Sequence, residues 1–190
     1  EQQPDLVFEV AYFPFMLNPD MPEEGVDRAS YRAAKFGSAE RARELDAEVA
    51  AAGAACGLEF RHDRMTRTPS TANAHRLSRF AAEADRQREV VEAIFRAYFN
   101  EGRDIGDITV LAEIAAANGM DGAATLARLR SDEAAAEVRA QAASASRAGI
   151  NGVPSFVLNR HLLFSGAQPP EVMADALAAA ARHPAIAAAG

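Results

Sequence analysis

The longest uninterrupted pattern in the chain is a proline-free interval from Ser70 to Val153. Within it the apolar residues recur every three to four positions, as in Val91, Ile94 and Tyr98. This spacing places them on one face of a helix. Because the interval is much longer than an ordinary helix, it predicts an all-helical block of several helices in the middle of the chain.

Glycine and short polar residues divide this block, and the segment before it, into separate helices. Asp, Ser and Thr favour the N-cap position, and glycine favours the position just after a helix. The predicted helices run from Ser38 to Cys56, from Thr71 to Ala84, from Asp85 to Gly102, from Asp107 to Gly119, from Asp121 onward, and from Ser131 or Asp132 to Gly149.

The segments that flank the block have the two-residue periodicity of strands. Near the start, residues 6–13 predict a strand that is buried on at least one face. Towards the end, residues 155–158 predict a short buried strand, residues 159–160 a tight turn, and residues 161–164 an antiparallel return. Two prolines, Pro169 and Pro170, then suit the start of a last helix. This order predicts an α/β protein with a large helical insertion.

Composition and missing motifs exclude several functions. The 190 residues carry 20 Lys and Arg against 27 Asp and Glu, a net charge of −7, whereas nucleic-acid binding needs a basic face. No window reaches the ~20 apolar residues of a membrane span. The sequence has no Gly-x-x-x-x-Gly-Lys loop, no Gly-x-Gly-x-x-Gly turn and no Gly-x-Ser-x-Gly elbow. We therefore expect neither a nucleic acid nor a membrane as partner.

The histidines and the single cysteine do not form a metal or disulfide motif. His62, His75, His161 and His183 show no His-x-x-x-His spacing, so we expect no metal. Cys56 alone cannot form an internal disulfide. It lies near the C-terminal end of a predicted helix, where the helix dipole disfavours a thiolate. This position favours a buried structural cysteine over a catalytic one.

The most informative short motif is GVPSF at residues 152–156, in which Pro154 directly precedes a predicted strand. A proline there removes a donor from the strand ladder. It therefore either ends a loop in the trans form or belongs to a cis-proline loop. In the second interpretation the loop lies at the mouth of a thioredoxin-like sheet, where the backbone of Val153 pairs with an extended peptide.

Together with further motifs, this segment resembles the DsbA-like thioredoxin family, and within it the FrnE-type dithiol–disulfide isomerases. The matching segments follow the family's order over nearly all of the chain: PFMLNPDMP at 14–22, AHRL at 74–77, AYFNEGRDI at 97–105, GINGVPSF at 149–156 and SGAQ at 165–168. A minor departure is Ser70, where the family often has asparagine. The larger one is that the family's Cys-Pro-Trp-Cys motif is not among these residues.

The resemblance implies a thioredoxin-like sheet with a large all-helical insertion. Residues 1–18 and 132–190 would form the thioredoxin-like domain, and residues 19–131 the insertion. The first strand and a redox Cys-x-x-Cys are expected upstream of Glu1, so no catalytic residue is expected within the 190 residues. The first strand is central in the family's sheet. We expect an N-terminal segment, or a strand of a neighbouring molecule, between residues 6–13 and 155–158.

Few substrate-binding residues carry over from the resemblance. Gly152, Val153 and Pro154 match the cis-proline loop, which faces the redox cysteines and binds substrate backbone. Gly152 leaves that loop room for close approach. His75 and Arg76 match a family motif on the insertion, and packing or ion pairing is the alternative to substrate binding for both.

Three functions remain open. The first is a thiol–disulfide oxidoreductase or isomerase acting on protein or small-molecule dithiols without a cofactor, which residues 14–22 and 97–99 favour. The second is a kappa-class transferase or 2-hydroxychromene-2-carboxylate isomerase with glutathione as cofactor. The third is a non-catalytic peptide-binding module. The expected partners are thiol or disulfide substrates and extended peptides, and an oligomer is compatible with the sequence. The first five residues resemble no signal peptide, but they do not fix a location. The expected location is cytoplasmic.

Overall fold

The computed structural model describes residues 6–187, apart from the side chain of residue 187. The helices are α1 (Arg28–Phe36), α2 (Ala39–Ala55), α3 (Ala72–Glu83), α4 (Gln87–Phe99), α5 (Ile108–Ala117), α6 (Gly122–Arg130), α7 (Ala135–Arg147), α8 (Pro170–Arg182) and α9 (Pro184–Ala187). The strands are β1 (Val26–Asp27), β2 (Arg67–Thr68), β3 (Ser155–Leu158) and β4 (His161–Ser165). A single 3₁₀ turn covers His62–Arg64.

The chain divides into two compact units. The helical unit is Ala11–Gln141, and the terminal unit combines the residues through Val10 with those from Ala142 onward. The predicted boundaries, after residue 18 and before residue 132, left more of the chain outside the insertion. The residues that differ are 11–18 and 132–141, and each of these segments makes hydrogen bonds with a helix of the helical unit. The side-chain amide of Gln87 on α4 binds the backbone of Tyr12. On α7, Glu137 accepts a hydrogen bond from α3.

The core of the helical unit is built from α3, α4, α5 and α6. Its largest fully buried side chains include Leu77, Phe80, Val90 and Leu111, at 1% exposure or less. Helices α3, α4 and α5 each contribute apolar residues at helical spacing to one cluster, and α6 contributes Leu129. Burying one such side chain contributes roughly 1.5–3 kcal/mol, so the cluster stabilises the unit. The predicted all-helical block is thereby confirmed.

Three predicted helix starts are confirmed by their N-caps. The side-chain oxygens of Ser38, Asp107 and Asp121 each accept a backbone N–H two or three residues further on, at 3.0, 2.7 and 2.9 Å. These bonds satisfy N–H groups that have no partner inside the helix.

Two other predicted starts are wrong. Helix α4 begins at Gln87, because Asp85 adopts a left-handed conformation with φ 54° in the turn after α3. Helix α7 begins at Ala135 rather than at Ser131 or Asp132. The residues just before it form a turn whose carbonyls accept hydrogen bonds from Arg76.

The first part of the helical unit contains elements that the sequence pattern does not predict. Strands β1 and β2 pair antiparallel, Val26 with Thr68, and two residues are too few to show a period. Asp27 is the N-cap of helix α1, and its carboxylate accepts a hydrogen bond from the backbone N–H of Ser30 at 2.8 Å. It ends at Gly37 with φ 92°.

In the terminal unit the predicted hairpin is confirmed. Strands β3 and β4 are antiparallel, with Phe156 opposite Phe164 and a register shift after that pair. Asn159 and Arg160 have φ of 47° and 68°, the left-handed values of a two-residue hairpin turn. The last helix starts at Pro170 as predicted. However, β3 is less buried than predicted, since Val157 is 50% exposed.

Two expectations about single segments are wrong. Residues 6–13 form no strand, because within the described chain their backbone has no ladder partner, and Val7 is 96% exposed. The predicted burial of Cys56 fails as well. This residue is the C-cap of α2, and the chain turns away at Gly57 with φ 77°, so the thiol is exposed. Within residues 6–187, no helix has the length and apolar character needed to cross a bilayer.

Candidate active site

The loop before β3 is held open by a small set of hydrogen bonds. The Val153–Pro154 peptide bond is cis, the isomer that the resemblance implies. The hydroxyl of Ser155 donates to the carbonyl of Gly152 at 2.8 Å, and the backbone N–H of Gly166 donates to the carbonyl of Pro154 at 2.7 Å. These bonds tie both sides of the loop to the hairpin and leave Val153 at its tip.

Val153 has two unused backbone hydrogen-bonding groups. Within residues 6–187, neither its backbone N–H nor its backbone C=O has a hydrogen-bond partner. Its side chain is 50% exposed, so both groups lie beside an accessible apolar surface. An N–H and a C=O on one residue are what an extended peptide needs to add itself as a strand.

Gly152 leaves open space beside this residue. A Cβ built on Gly152 would meet no atom of the described chain within 4 Å. Neither packing within the chain nor a positive φ therefore requires glycine at this position. The predicted reason for the glycine, close approach by a bound backbone, remains a prediction that fits this geometry.

Behind the loop, the hairpin is stiffened by two cross-strand contacts. The rings of Phe156 and Phe164 stack with centroids 4.7 Å apart. The hydroxyl oxygens of Ser155 and Ser165 lie 2.7 Å apart. Cross-strand pairs of this kind fix the register of a hairpin, and here they fix the position at which the loop begins.

The other two predicted residues lie side by side on α3 in the helical unit, where they do different things. Burial lowers the pKa of the His75 imidazole, and the nearby backbone of Phe15 partly opposes this shift. His75 lines a cavity of about 210 Å³ together with Tyr12, Pro14 and Gln87. The lowered pKa favours the neutral form of this imidazole. The ring lies beside Pro14, the first residue of the motif at 14–22.

Arg76 is buried and uses all of its donors within the protein. Its Nε donates to the carbonyl of Glu133 at 2.8 Å. The remaining four N–H groups go to the side chain of Asn73 and to the carbonyls of Leu129, Arg128 and Ser131. A guanidinium has five N–H groups, so none is left for a ligand. The geometry favours the packing alternative for Arg76, as a cap on the C-terminal end of α6.

Sequence reasoning missed Gln87, which organises the same region. Its Nε2 donates to the carbonyl of Tyr12 at 2.8 Å, and its Oε1 accepts from the N–H of Tyr12 at 3.0 Å. The side-chain amide thus acts as a strand partner for one residue. Nothing in the local sequence marks this role, because the two residues are 75 positions apart.

No metal centre accompanies these residues within the part of the chain that the structure describes. No group of three or more His, Cys, Asp and Glu side chains in residues 6–187 could hold a metal ion. The free backbone groups of Val153 are suited to recognition of an extended backbone at the loop.

The fold and the loop define a DsbA-like thioredoxin protein, and the chain belongs to that family. The family model described as "DSBA-like thioredoxin domain" matches residues 1–178. The structure is similar to the crystal structure of a probable DsbA oxidoreductase from Streptomyces coelicolor, with a TM-score of 0.78 and 35% sequence identity over 87% of this chain and 72% of that chain.

A second relative covers less of the chain. The uncharacterized protein YwbO of Bacillus subtilis (strain 168) is 31% identical over 104 residues, which are 54% of this chain and 52% of that protein. The chain thus spans about half the length of this curated relative. The matches agree with the prediction of a DsbA-like thioredoxin fold with a helical insertion.

Proposed function

We propose that this protein is a thiol–disulfide oxidoreductase of the FrnE type, which binds the backbone of an extended substrate at the loop of Gly152, Val153 and Pro154. The observation that carries the proposal is the free N–H and C=O of Val153 on an exposed loop. Membership of the DsbA-like family and the likeness to a probable DsbA oxidoreductase support it.

Recognition comes first in this proposal. An extended substrate aligns beside Val153, which donates one backbone hydrogen bond and accepts another. The open space beside Gly152 lets the substrate backbone approach closely. Main-chain pairing of this kind depends little on the substrate's side chains, so it suits an enzyme that acts on many thiol or disulfide peptides.

The redox step needs two thiols, which the resemblance assigns to a Cys-x-x-Cys upstream of Glu1. The first, as a thiolate, attacks one sulfur of a substrate disulfide; a mixed disulfide forms and the other substrate sulfur leaves as a thiolate. The second cysteine then attacks the mixed disulfide, which releases the reduced substrate and closes the enzyme's own disulfide. Two electrons pass from the enzyme dithiol to the substrate, and no prosthetic group is required.

Backbone recognition can be tested with ligands that leave the protein unchanged. The probe is a peptide with an S-methylated cysteine, compared with versions that carry one N-methyl group at successive positions. The carbonyl of Val153 would accept one hydrogen bond from the peptide, so methylation of that one N–H should weaken binding about tenfold and methylation of its neighbours should not. Equal losses at every position, or no loss anywhere, would contradict strand-type pairing at Val153.

The redox assignment has a separate test. Cys56 is the only cysteine in the 190 residues, so a sample shown by intact mass to contain only these residues should not reduce insulin. The same polypeptide preceded by its Cys-x-x-Cys segment should turn over. Turnover by the first sample, or none by the second, would refute the proposed chemistry even if the peptide binds.

A further inference from the structure

A second cavity of the helical unit is lined by charged side chains that the proposed function does not use. It has a volume of about 270 Å³ and lies among α1, α2 and the 3₁₀ turn. Its polar lining consists of Arg28, Arg32, Arg43, Asp46 and His62, and small apolar side chains complete the wall. The volume is just below the roughly 300–1,000 Å³ of pockets that hold drug-sized ligands, so it suits a smaller one.

The charges around this cavity do not balance. Arg28 and Arg32 both place their Nη2 on the same Asp46 oxygen, at 2.9 and 2.7 Å. Their side chains are largely buried, and the only carboxylate in the cavity wall is that of Asp46. Two guanidinium groups therefore share one carboxylate. An excess positive charge in a partly buried place is costly unless an anion compensates it.

Arg32 also has a hydrogen-bond donor with no acceptor. Within residues 6–187, its Nε is the one buried side-chain nitrogen or oxygen without a partner. The guanidinium is held in place, since Nη2 also donates to the carbonyl of Ala42 at 3.2 Å and the group lies 4.8 Å from the ring centre of Phe36. Buried donors in native proteins are almost always satisfied, and an orphan donor marks a place for a bound water or ion.

We propose that this cavity is a binding site for a small oxyanion, a carboxylate or phosphate group, held by the guanidinium groups of Arg28 and Arg32. Guanidinium groups match both kinds of oxyanion in shape and charge. One added negative charge would balance the second arginine. The site lies outside the loop at Val153 and uses none of its residues.

His62 adds a pH dependence to this site. It faces Asp46 on α2, at 3.8 Å, and Arg28 and Arg32 on α1. Burial lowers the pKa of its imidazole, and the two arginines lower it further, while Asp46 opposes them. An anion in the cavity favours protonated His62, so it should raise this pKa. By reciprocity, lowering the pH should tighten anion binding.

The first test is calorimetric titration of the protein with inorganic phosphate and, separately, with succinate, in chloride at constant ionic strength. We expect a Kd of about 1 mM or tighter for at least one. Binding of phosphate alone identifies a phosphate-type site, and binding of succinate alone identifies a carboxylate-type site. If neither anion binds the wild-type protein, the proposal is wrong.

Matched variants locate the binding. Arg32→Gln should weaken the anion roughly ten- to a hundredfold, the usual effect of losing a charged hydrogen bond. Arg88→Gln is the control, because Arg88 is 77% exposed and its ion pair is with Glu92 on the same helix. It should leave the affinity unchanged. Equal affinities for Arg32→Gln and Arg88→Gln would overturn the assignment.

Two further measurements keep the test decisive if Arg32→Gln fails to fold. Asp46→Asn removes the competing carboxylate, so it should bind the anion more tightly, and added anion should raise its unfolding temperature more than that of the wild type. The NMR titration of the His62 ring should move to higher pH when sulfate is added. Weaker binding by Asp46→Asn, or an unmoved titration, would contradict an anion in this cavity.

Discussion

The helical unit and the terminal unit bury their apolar residues to very different extents. In the helical unit, Leu77, Phe80 and Leu111 are almost inaccessible to solvent. In the described part of the terminal unit, the buried apolar residues are alanines, and the larger side chains are partly buried or exposed. Four of them are about half exposed: Val153, Val157, Leu162 and Val172. Stability therefore rests mainly on the helical unit, and the terminal unit carries the loop at which we propose that a substrate binds.

The largest effect should come from the helical core. Phe80→Ala removes a ring that is 1% exposed and should lower the free energy of unfolding by about 3–5 kcal/mol. Val157→Ala, at a half-exposed position in β3, should cost well under that, about 1 kcal/mol or less. Urea unfolding of both variants measures the difference. Comparable losses of unfolding free energy in the two variants would contradict the claim that stability rests mainly on the helical unit.

The next effect should come from the buried arginine. Arg76→Ala leaves three carbonyls, those of Leu129, Ser131 and Glu133, without this donor and should cost roughly 2–4 kcal/mol. The neighbouring Arg79, with partly exposed ion pairs to Glu83 and Glu137, is the control and should cost about 1 kcal/mol or less when replaced by alanine. A smaller loss for Arg76 than for Arg79 would contradict the capping role.

A moderate effect should come from acidification. Burial lowers the pKa of His75 in the folded state below the 6.5 of an unperturbed imidazole, so the unfolded chain takes up the proton first. Stability should therefore fall as the pH drops below 6.5, and His75→Gln should reduce this dependence. Thermal melts across this pH range measure the dependence of the unfolding temperature on pH. The same dependence in wild type and His75→Gln would contradict a lowered pKa of His75 in the folded protein.

The smallest effect on stability should come from the loop glycine. Gly152→Ala meets open space and should change stability by no more than about 0.5 kcal/mol, yet weaken peptide binding about tenfold. Gly102→Ala is the contrast, since φ is +72° and the added Cβ would lie 2.4 Å from the carbonyl oxygen of Arg64. It should lower stability and leave the loop unaffected. Unchanged peptide affinity in Gly152→Ala would remove the reason for a glycine there.

Much of the fold could be predicted because its signals are local. The caps at Ser38, Asp107 and Asp121 act within one turn, and the hairpin turn at Asn159 and Arg160 within two residues. Strand prediction failed at residues 6–13 for the opposite reason. A strand requires a ladder partner, and alternation of apolar residues does not supply one.

The candidate site could be predicted in part. The loop at Val153 follows from a contiguous motif, and its free backbone groups agree with the expected role. His75 and Arg76 were indistinguishable as adjacent members of one motif. The structure separates them, since the five donors of Arg76 all go to protein acceptors, one to the side chain of Asn73 and four to backbone carbonyls, whereas His75 lines a cavity beside Tyr12.

The sequence by itself determined the helical block, the hairpin and the family, because each depends on periodicity, caps, turn residues or a short contiguous motif. Only the tertiary structure decided what distant side chains do. Gln87 binds Tyr12 across 75 positions, Arg76 reaches Glu133 across 57, and Arg28 meets Asp46 across 18. The physical reason is that hydrogen bonds and ion pairs act over a few ångströms in space, and distance along the chain does not specify distance in space.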